Sequence, residues 1–391
     1  MSRAGQVVAY AILTVIVVGV FEVGFYAAGL VLQSQWGMWR VPQEPVGARA
    51  PLTFDEYMQR RHPDLGWPHL HEYGTSLDSN GAQLNPYFPE RPERKACVSL
   101  YGDSFTEGGD VTSSEHKWGN VLSKRLDCYV ANLAMGGYGT DQAYLRFEKK
   151  VDDPAGLVIF GIHPPDVMRN LTRIRDLENY AKWYALKPRY IFNEDTGLTL
   201  VPIPDLTEEQ YLRILTEKGE PLMLEHENLQ PGGPAGVVKL QFPYTFSVLR
   251  NMLTFYGFKS RVFGYPEYKL FIEKDHPLKG LQITAGLASR FIELAEQRGK
   301  NHLVVMLPHP GDFHYFIKTG AWPYQNLSDE LQSLNVPVID FGPYLISEAE
   351  ARDRALDTYF GATQHYNDDG NALVAQFVDI AIQDRNLLAM D

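Results

Sequence analysis

The chain has 391 residues, of which 45% are hydrophobic and 21% charged, with a formal net charge of -12. That is enough apolar material for one large domain and more than a disordered chain carries. The acidic balance holds no long basic run able to follow a phosphate backbone or an anionic bilayer, so nucleic acid is excluded as an expected partner.

The first element is an apolar run over 7–32, preceded by Arg3 and followed by Trp36, Trp39 and Arg40. It exceeds both the roughly 20 residues that cross a bilayer and the roughly 7–15 of a cleaved signal, and the tryptophans read as an interfacial belt. The sequence therefore predicts an uncleaved single-pass anchor over 1–42, with 26–28 the one neighbourhood suited to cleavage. Arg3 against Arg40 leaves the orientation weakly marked. Glu22 falls in mid-span, where a carboxylate is costly unless neutral or paired; either the long helix tolerates it or a membrane-protein partner meets it there.

Residues 43–95 read as a linker (43–51) and an N-terminal extension of short strands and loops. His62, His69 and His71 fall here, but no cysteine or acidic cluster completes a coordination set, so no metal is expected. From 96 the pattern becomes α/β. Strands are predicted at 97–101, 129–133, 157–162, 303–307 and 336–341, with helices at 117–125, 142–150 and 371–384. This alternation predicts a three-layer α/β/α domain over 96–391, built on a mainly parallel, flavodoxin-like sheet of five strands. Cys97 and Cys128 start two neighbouring strands, which allows a disulfide in an oxidising compartment or two buried thiols. The interval 171–275 contains GGPAG and helical patterns at 208–218 and 243–255; too long for one crossover, it reads as an insertion that shapes a pocket or meets a partner.

The strongest chemical signal is SLYGDSFTEGG. A strand ending at Tyr101 and a Gly-Asp-Ser turn place Ser104 at the carboxyl edge of the sheet, where ligands of open α/β folds bind. A serine hydroxyl becomes a nucleophile when a base takes its proton, and its N–H serves an oxyanion hole if a helix begins there. The tripeptide alone fits an ordinary helix N-cap equally well.

Together with two later blocks, the sequence resembles the SGNH/GDSL hydrolases. Gly102, Asp103, Ser104, Thr106 and Gly108 match the first block of that family. NLAMGGYGTDQ matches the second, with Asn132 supporting the turn and Gly137 offering an oxyanion N–H, and HYNDDGNALVA offers His365, Asn367 and Gly370 for the last. HPDLGW, FGIHPPDVMRN and KPRY look like a membrane-anchored bacterial branch. The resemblance implies Ser104 as nucleophile, His365 as general base and acid, the amides of Ser104 and Gly137 as oxyanion hole, and no cofactor.

Two departures from the family pattern stand out. Pro165 replaces the Asn that donates to the oxyanion, and proline has no N–H. Ala362 replaces the Asp three residues before the histidine, so Asp357 or Asp353 is expected to orient the ring from the preceding loop. Asp103, Asp166 and His163 are further supporting candidates, His163 as a substitute oxyanion donor. Arg169, Arg173 and Arg175 read either as a patch for an acidic sugar or phosphate or, more commonly, as a solvated helix face. His309 and His314 read as loop residues.

The resemblance implies a serine esterase or acyltransferase acting on O-acyl groups of a carbohydrate or envelope glycan, on the periplasmic side of a bacterial inner membrane. The alternative is a catalytically degenerate scaffold serving as accessory subunit of a membrane complex.

Overall fold

The structure is a computed structural model that describes residues 2–36, 53–67, 77–78, 80–89, 95–179, 185–214 and 220–388. The linker expected at 43–51, with Trp39, Arg40, His69 and His71, lies outside the described residues. The strands are β1 (Val98–Tyr101), β2 (Val130–Asn132), β3 (Leu157–Ile162), β4 (Arg189–Asn193), β5 (Gly197–Val201), β6 (Asn301–Met306) and β7 (Val338–Asp340). Helices used below are α1 (Arg3–Trp36), α2 (Ser104–Glu107), α3 (Trp118–Leu126), α4 (Thr140–Lys149), α5 (Tyr244–Thr254), α6 (Tyr256–Phe263), α7 (Gly280–Gln297), α8 (Phe341–Ala351) and α9 (Asp368–Asp384).

Five strands form one parallel sheet in the order β2-β1-β3-β6-β7. The strand order reverses between β1 and β3, which leaves a crevice beyond their carboxyl ends. Side chains alternate between two apolar layers. Leu157 and Ile159 of β3 and Leu303 and Val305 of β6 join the layer containing Trp118 of α3, Phe341 of α8 and Val374 of α9. Val158, Phe160, Val304 and Met306 face the other layer, with Phe147 of α4 and Phe291 of α7. Fully buried strands of this kind read as continuous apolar runs, which is why they were visible in the sequence. The expected three-layer α/β/α arrangement is what the chain forms. Cys97 and Cys128 are joined by a disulfide, with Cα atoms 6.1 Å apart.

Between Arg169 and Gly280 the chain leaves the sheet for the antiparallel pair β4–β5 and several helices, α5 and α6 among them. Lys187 locks this region to the domain. Its ammonium donates to Asp141 of α4 at 2.5 Å, and to the carbonyls of Arg169, Thr172 and Pro188, with both charged side chains wholly buried.

Helix α1 is the one helix among the described residues long and apolar enough to cross a membrane. Its C-terminal part is docked on the body through a stripe at helical spacing, Glu22, Phe25, Gly29 and Leu32. A side chain at Gly29 would meet Leu240 at 2.6 Å, so glycine permits the close approach. Glu22 accepts from the backbone N–H groups of Tyr244 and Thr245, at 2.5 and 3.3 Å. The pairing need predicted for Glu22 is thus met within this chain, by the N-terminus of α5.

Candidate active site

Ser104 is the first residue of α2 because Asp103 caps that helix, accepting from the N–H groups of Phe105 (2.9 Å) and Thr106 (3.4 Å). The N-cap reading and the nucleophile reading therefore describe neighbouring residues of one turn. A Cβ on Gly102 would lie 2.1 Å from Thr106 Oγ1, so glycine is what lets the helix fold tightly back on the strand. Ser104 is half-buried and its N–H donates to no acceptor among the described residues.

His365 arrives from the other end of the sequence, and its Nε2 lies 2.8 Å from Ser104 Oγ. Three contacts place it. Asp110, in the left-handed region at φ 54°, accepts from the N–H groups of Thr363 (2.8 Å) and His365 (3.1 Å). Wholly buried Asn371 donates to the carbonyls of Gly109 and Tyr366 and accepts from Trp118 N, joining the first block, α3 and the histidine loop. Asn367 caps α9, with Oδ1 3.1 Å from Gly370 N.

Behind the ring, Nδ1 lies 2.8 Å from Thr363 Oγ1. Asp357, expected to orient His365, instead pairs with His314 Nε2 at 2.9 Å on the surface, and Asp353 is exposed. His314 itself lies within a helix, Pro310–Thr319, and not in a loop.

The second block sits beside α2. Asn132 donates to the carbonyls of Thr106 and Glu107 and accepts from Ala134 N, and Met135 N donates to Gly102 O. Gly136 N donates to Glu107 Oε2 at 2.8 Å. Gly137 follows with φ +81°, a conformation that favours glycine, and its N–H donates to no acceptor among the described residues. Trp67 lies over this loop: its Nε1 donates to Gly136 O, and a Cβ on Gly137 would meet its ring at 3.6 Å.

Arg169, Arg173 and Arg175 are not a solvated face. Arg169 NH1 donates to Asp103 (3.1 Å), Asp166 (2.6 Å) and the Tyr138 carbonyl (2.8 Å). Arg173 serves the carbonyls of Leu222, Glu225 and Pro202, and Arg175 pairs with Glu178 and reaches Gly137 O. Burial first, and then the neighbouring Asp103, hold the Asp166 carboxyl well above the usual range. Asp166 and Asp103 therefore act on each other through Arg169 under the nucleophile turn, with Ser104 Oγ 3.4 Å from Asp103 Oδ2.

His163 is buried with its ring stacked on Phe105 at 3.8 Å, and its Nδ1 is 3.0 Å from the Leu307 carbonyl; no hydrogen bond joins it to Ser104. Burial holds it neutral, well below its ordinary value. His309 caps the helix Pro310–Thr319 and is pushed down to about 4, again mainly by burial. Among the described residues no three His, Cys, Asp or Glu side chains gather as a metal site.

Strand order, the Gly-Asp-Ser turn at the end of β1, and the serine–histidine contact across 261 residues of sequence are what the SGNH/GDSL resemblance implies. The fold is that of the SGNH/GDSL hydrolases. No family model matches the chain, and no curated protein matches it. Solved structures similar to it include a G-D-S-L family protein described as lipolytic from Desulfitobacterium hafniense, with TM-score 0.35 and 13% identity over 72% of this chain and 97% of that one. A GDSL-like lipase from Bacteroides thetaiotaomicron matches with TM-score 0.34 and 13% identity over 81% of this chain and 98% of that one. An acetyl xylan esterase matches with TM-score 0.36 and 12% identity over 73% and 98%.

Sequence reasoning missed Thr363, Asp110, Asn371 and Trp67 as parts of the candidate site. Asn371 and Trp67 stood inside motifs already singled out; Thr363 and Asp110 act through the backbone and a hydroxyl, for which the sequence carries no distinct signal.

Proposed function

We propose that the chain is a membrane-anchored serine esterase or acyltransferase of the SGNH/GDSL type, acting on O-acyl groups of a carbohydrate or envelope glycan at the periplasmic face of a bacterial inner membrane. The observation that carries the catalytic part is the 2.8 Å contact from Ser104 Oγ to His365 Nε2 at the first turn of α2. In the reaction, Ser104 Oγ gives its proton to Nε2 and bonds to the acyl carbon. The carbonyl oxygen takes the negative charge, facing the amides of Ser104 and Gly137. His365 then returns the proton to the departing sugar oxygen, leaving an acyl-serine. Water or a second hydroxyl, deprotonated by the same nitrogen, takes the acyl group, so hydrolysis and transfer use the same residues.

The anchored, outward placement is supported by α1 and by the Cys97–Cys128 disulfide, which suits an oxidising compartment. The carbohydrate class rests on the family resemblance alone. A catalytically silent scaffold is favoured by two features: Pro165 removes an oxyanion donor, and a hydroxyl, Thr363 Oγ1, stands behind His365 in place of a carboxylate. The deciding experiment is hydrolysis of an activated acetyl ester by the full-length protein in detergent, beside Ser104→Ala and His365→Ala. Turnover in the parent and its loss in both variants supports the enzyme; equal rates in all three overturn it.

A further inference from the structure

Helix α1 changes character at Glu22. From Arg3 to Phe21 every described side chain but that level's Gly5 is exposed, a stretch of roughly 19 residues or about 28 Å at 1.5 Å per residue. A bilayer core is about 30 Å thick. From Glu22 onward the helix is docked on the body. The level at which α1 enters the bilayer is thus the level of Glu22, and Glu22 holds the first turn of α5.

Starting at that level the body presents an exposed apolar stripe. Phe242 and Phe246 are 70% and 65% exposed, and Leu249 and Leu253 continue them at spacings of three and four along α5, Leu253 at 70%. Phe263 of α6 adds another ring at 68%. The opposite face of α5, Ser247, Val248 and Asn251, is buried against the domain. No basic run marks this region; its signal is missing acid. Between Glu227 and Glu267 there is no Asp or Glu, while Lys239, Arg250, Lys259 and Arg261 all fall there, in a chain whose net charge is -12.

We propose that α5 and α6 form an interfacial platform that lies on the outer leaflet of the bilayer crossed by α1, with the Phe246–Leu249–Leu253 stripe among the acyl chains and the basic side chains of Lys239, Arg250 and Lys259 against anionic headgroups. This rests on reading α1 as a membrane anchor and is independent of catalysis. An apolar helix face flanked by basic residues binds an anionic surface by buried area and by charge together. Continuity with the anchor selects lipid: a stripe that starts within one turn of the point where α1 becomes bare meets the membrane surface before any other partner. The platform and the anchor then grip the domain at two places, which fixes its tilt over the leaflet and holds Ser104 at a set height.

The test uses single cysteine substitutions in the full-length chain, whose described cysteines are both in the disulfide. Phe246→Cys, Leu253→Cys and Phe263→Cys carry a nitroxide, with Val15→Cys on bare α1 and Ile380→Cys on α9, across the sheet, for comparison. In vesicles of phosphatidylethanolamine and phosphatidylglycerol, relaxation by oxygen reports lipid and relaxation by a water-soluble nickel chelate reports water. The expected result is lipid-like accessibility at 246, 253 and 263, matching 15, and water-like accessibility at 380. Water-like labels at 246, 253 and 263 with a lipid-like label at 15 overturn the platform and leave the anchor standing. Water-like labels at all of these positions overturn both. Labels shielded only in native membranes, and not in pure lipid, overturn the platform in favour of a protein partner.

Discussion

His365 is held from behind by a hydroxyl: its Nδ1 lies 2.8 Å from Thr363 Oγ1, while its Nε2 faces Ser104. With Nε2 accepting from the serine, Nδ1 carries the proton and donates to threonine. A neutral acceptor fixes the tautomer and ring direction, but stabilises the imidazolium less than a carboxylate does. Thr363→Val removes the acceptor without changing the backbone that Asp110 grips. A neutral hydrogen bond contributes about 0.5–1.5 kcal/mol, on the order of a 2- to 10-fold loss in kcat. Thr363→Ser is expected to keep the parent rate, and steady-state kinetics on an activated acetyl ester compares the three. Equal kcat in the valine variant would mean that Thr363 does not orient the ring.

Gly137→Ala tests the oxyanion loop. The new methyl has room, since the Trp67 ring lies 3.6 Å away, but φ +81° is unfavourable for alanine by about 1–2 kcal/mol. If the peptide turns to relieve that strain, its N–H leaves the oxyanion, and one lost donor costs about 2.7–4 kcal/mol, on the order of 10²–10³ in kcat. The expectation is a folded protein with near-parent circular dichroism and kcat reduced toward that limit. Unchanged kcat would remove Gly137 from the hole.

Arg169 balances two acids under the nucleophile turn. Arg169→Met leaves Asp103 and Asp166 facing each other without a cation, and breaking a buried pair in this way costs about 3–5 kcal/mol. Chemical denaturation measures it. Combining Arg169→Met with Asp166→Asn removes the acid that faces Asp103, so the double variant is expected to be more stable than the single. Additive losses would mean that the three groups do not interact as the geometry has it.

The disulfide closes a sequence separation of 31 residues between the starts of β1 and β2. A cross-link of this size stabilises by about 2–4 kcal/mol, chiefly by restricting the unfolded chain. The paired Cys97→Ala and Cys128→Ala variant is expected to unfold at correspondingly lower denaturant, with the slope of the transition checking for a changed unfolded state. An unchanged midpoint would contradict a formed bridge.

The sheet was legible because buried parallel strands are nearly uninterrupted apolar runs, as at 157–162, and because turn chemistry marks their ends. Helix α9 began three residues earlier than periodicity suggested, since Asp368 and Asp369 follow the Asn367 cap and lie in its first turn. Helix α7 was not singled out beforehand, although it supplies Phe291 to the core. In the site, the reacting residues were legible from short motifs, whereas their supports were not. Asp357 offered the carboxylate that a catalytic histidine usually has, whereas Thr363, two residues from His365, offers a hydroxyl; which one faces the ring depends on the path of the loop over Phe360–Tyr366, and that path is set by Asp110, some 250 residues away. Likewise three arginines at odd positions look like surface until their partners are placed: Asp103 for Arg169 and the carbonyls of Pro202, Leu222 and Glu225 for Arg173 come from other segments, and Glu178 meets Arg175 one turn on.

The first turn of the helix Pro310–Thr319 carries two groups that burial moves in opposite directions. His309 is pushed down to about 4 from an ordinary 6.5, and Asp312, wholly buried, is raised to about 7 from 3.8. Between pH 4 and 6.5 the unfolded chain binds more protons at position 309 than the folded one, so that contribution to stability grows as pH rises. At position 312 the folded chain keeps a proton that the unfolded chain has lost, so that contribution is full below pH 3.8 and is lost as pH rises through 7. The two oppose each other up to about 6.5, beyond which the loss at Asp312 stands alone at this turn. Asp340, raised to about 6 mainly by burial, acts in the same direction as Asp312 and has spent most of its effect by then. Asp312→Asn replaces the buried acid with a neutral group of nearly the same shape, whose single amide oxygen can accept from His309 N as Oδ2 does at 2.8 Å and whose NH2 can donate to Tyr268 Oη, which lies 2.6 Å from Oδ1. The melting temperature of the variant relative to the parent is therefore expected to be more favourable at pH 8 than at pH 5. A difference that stays constant across that range would mean that Asp312 keeps one charge state in the fold, and that the pH response of stability arises elsewhere.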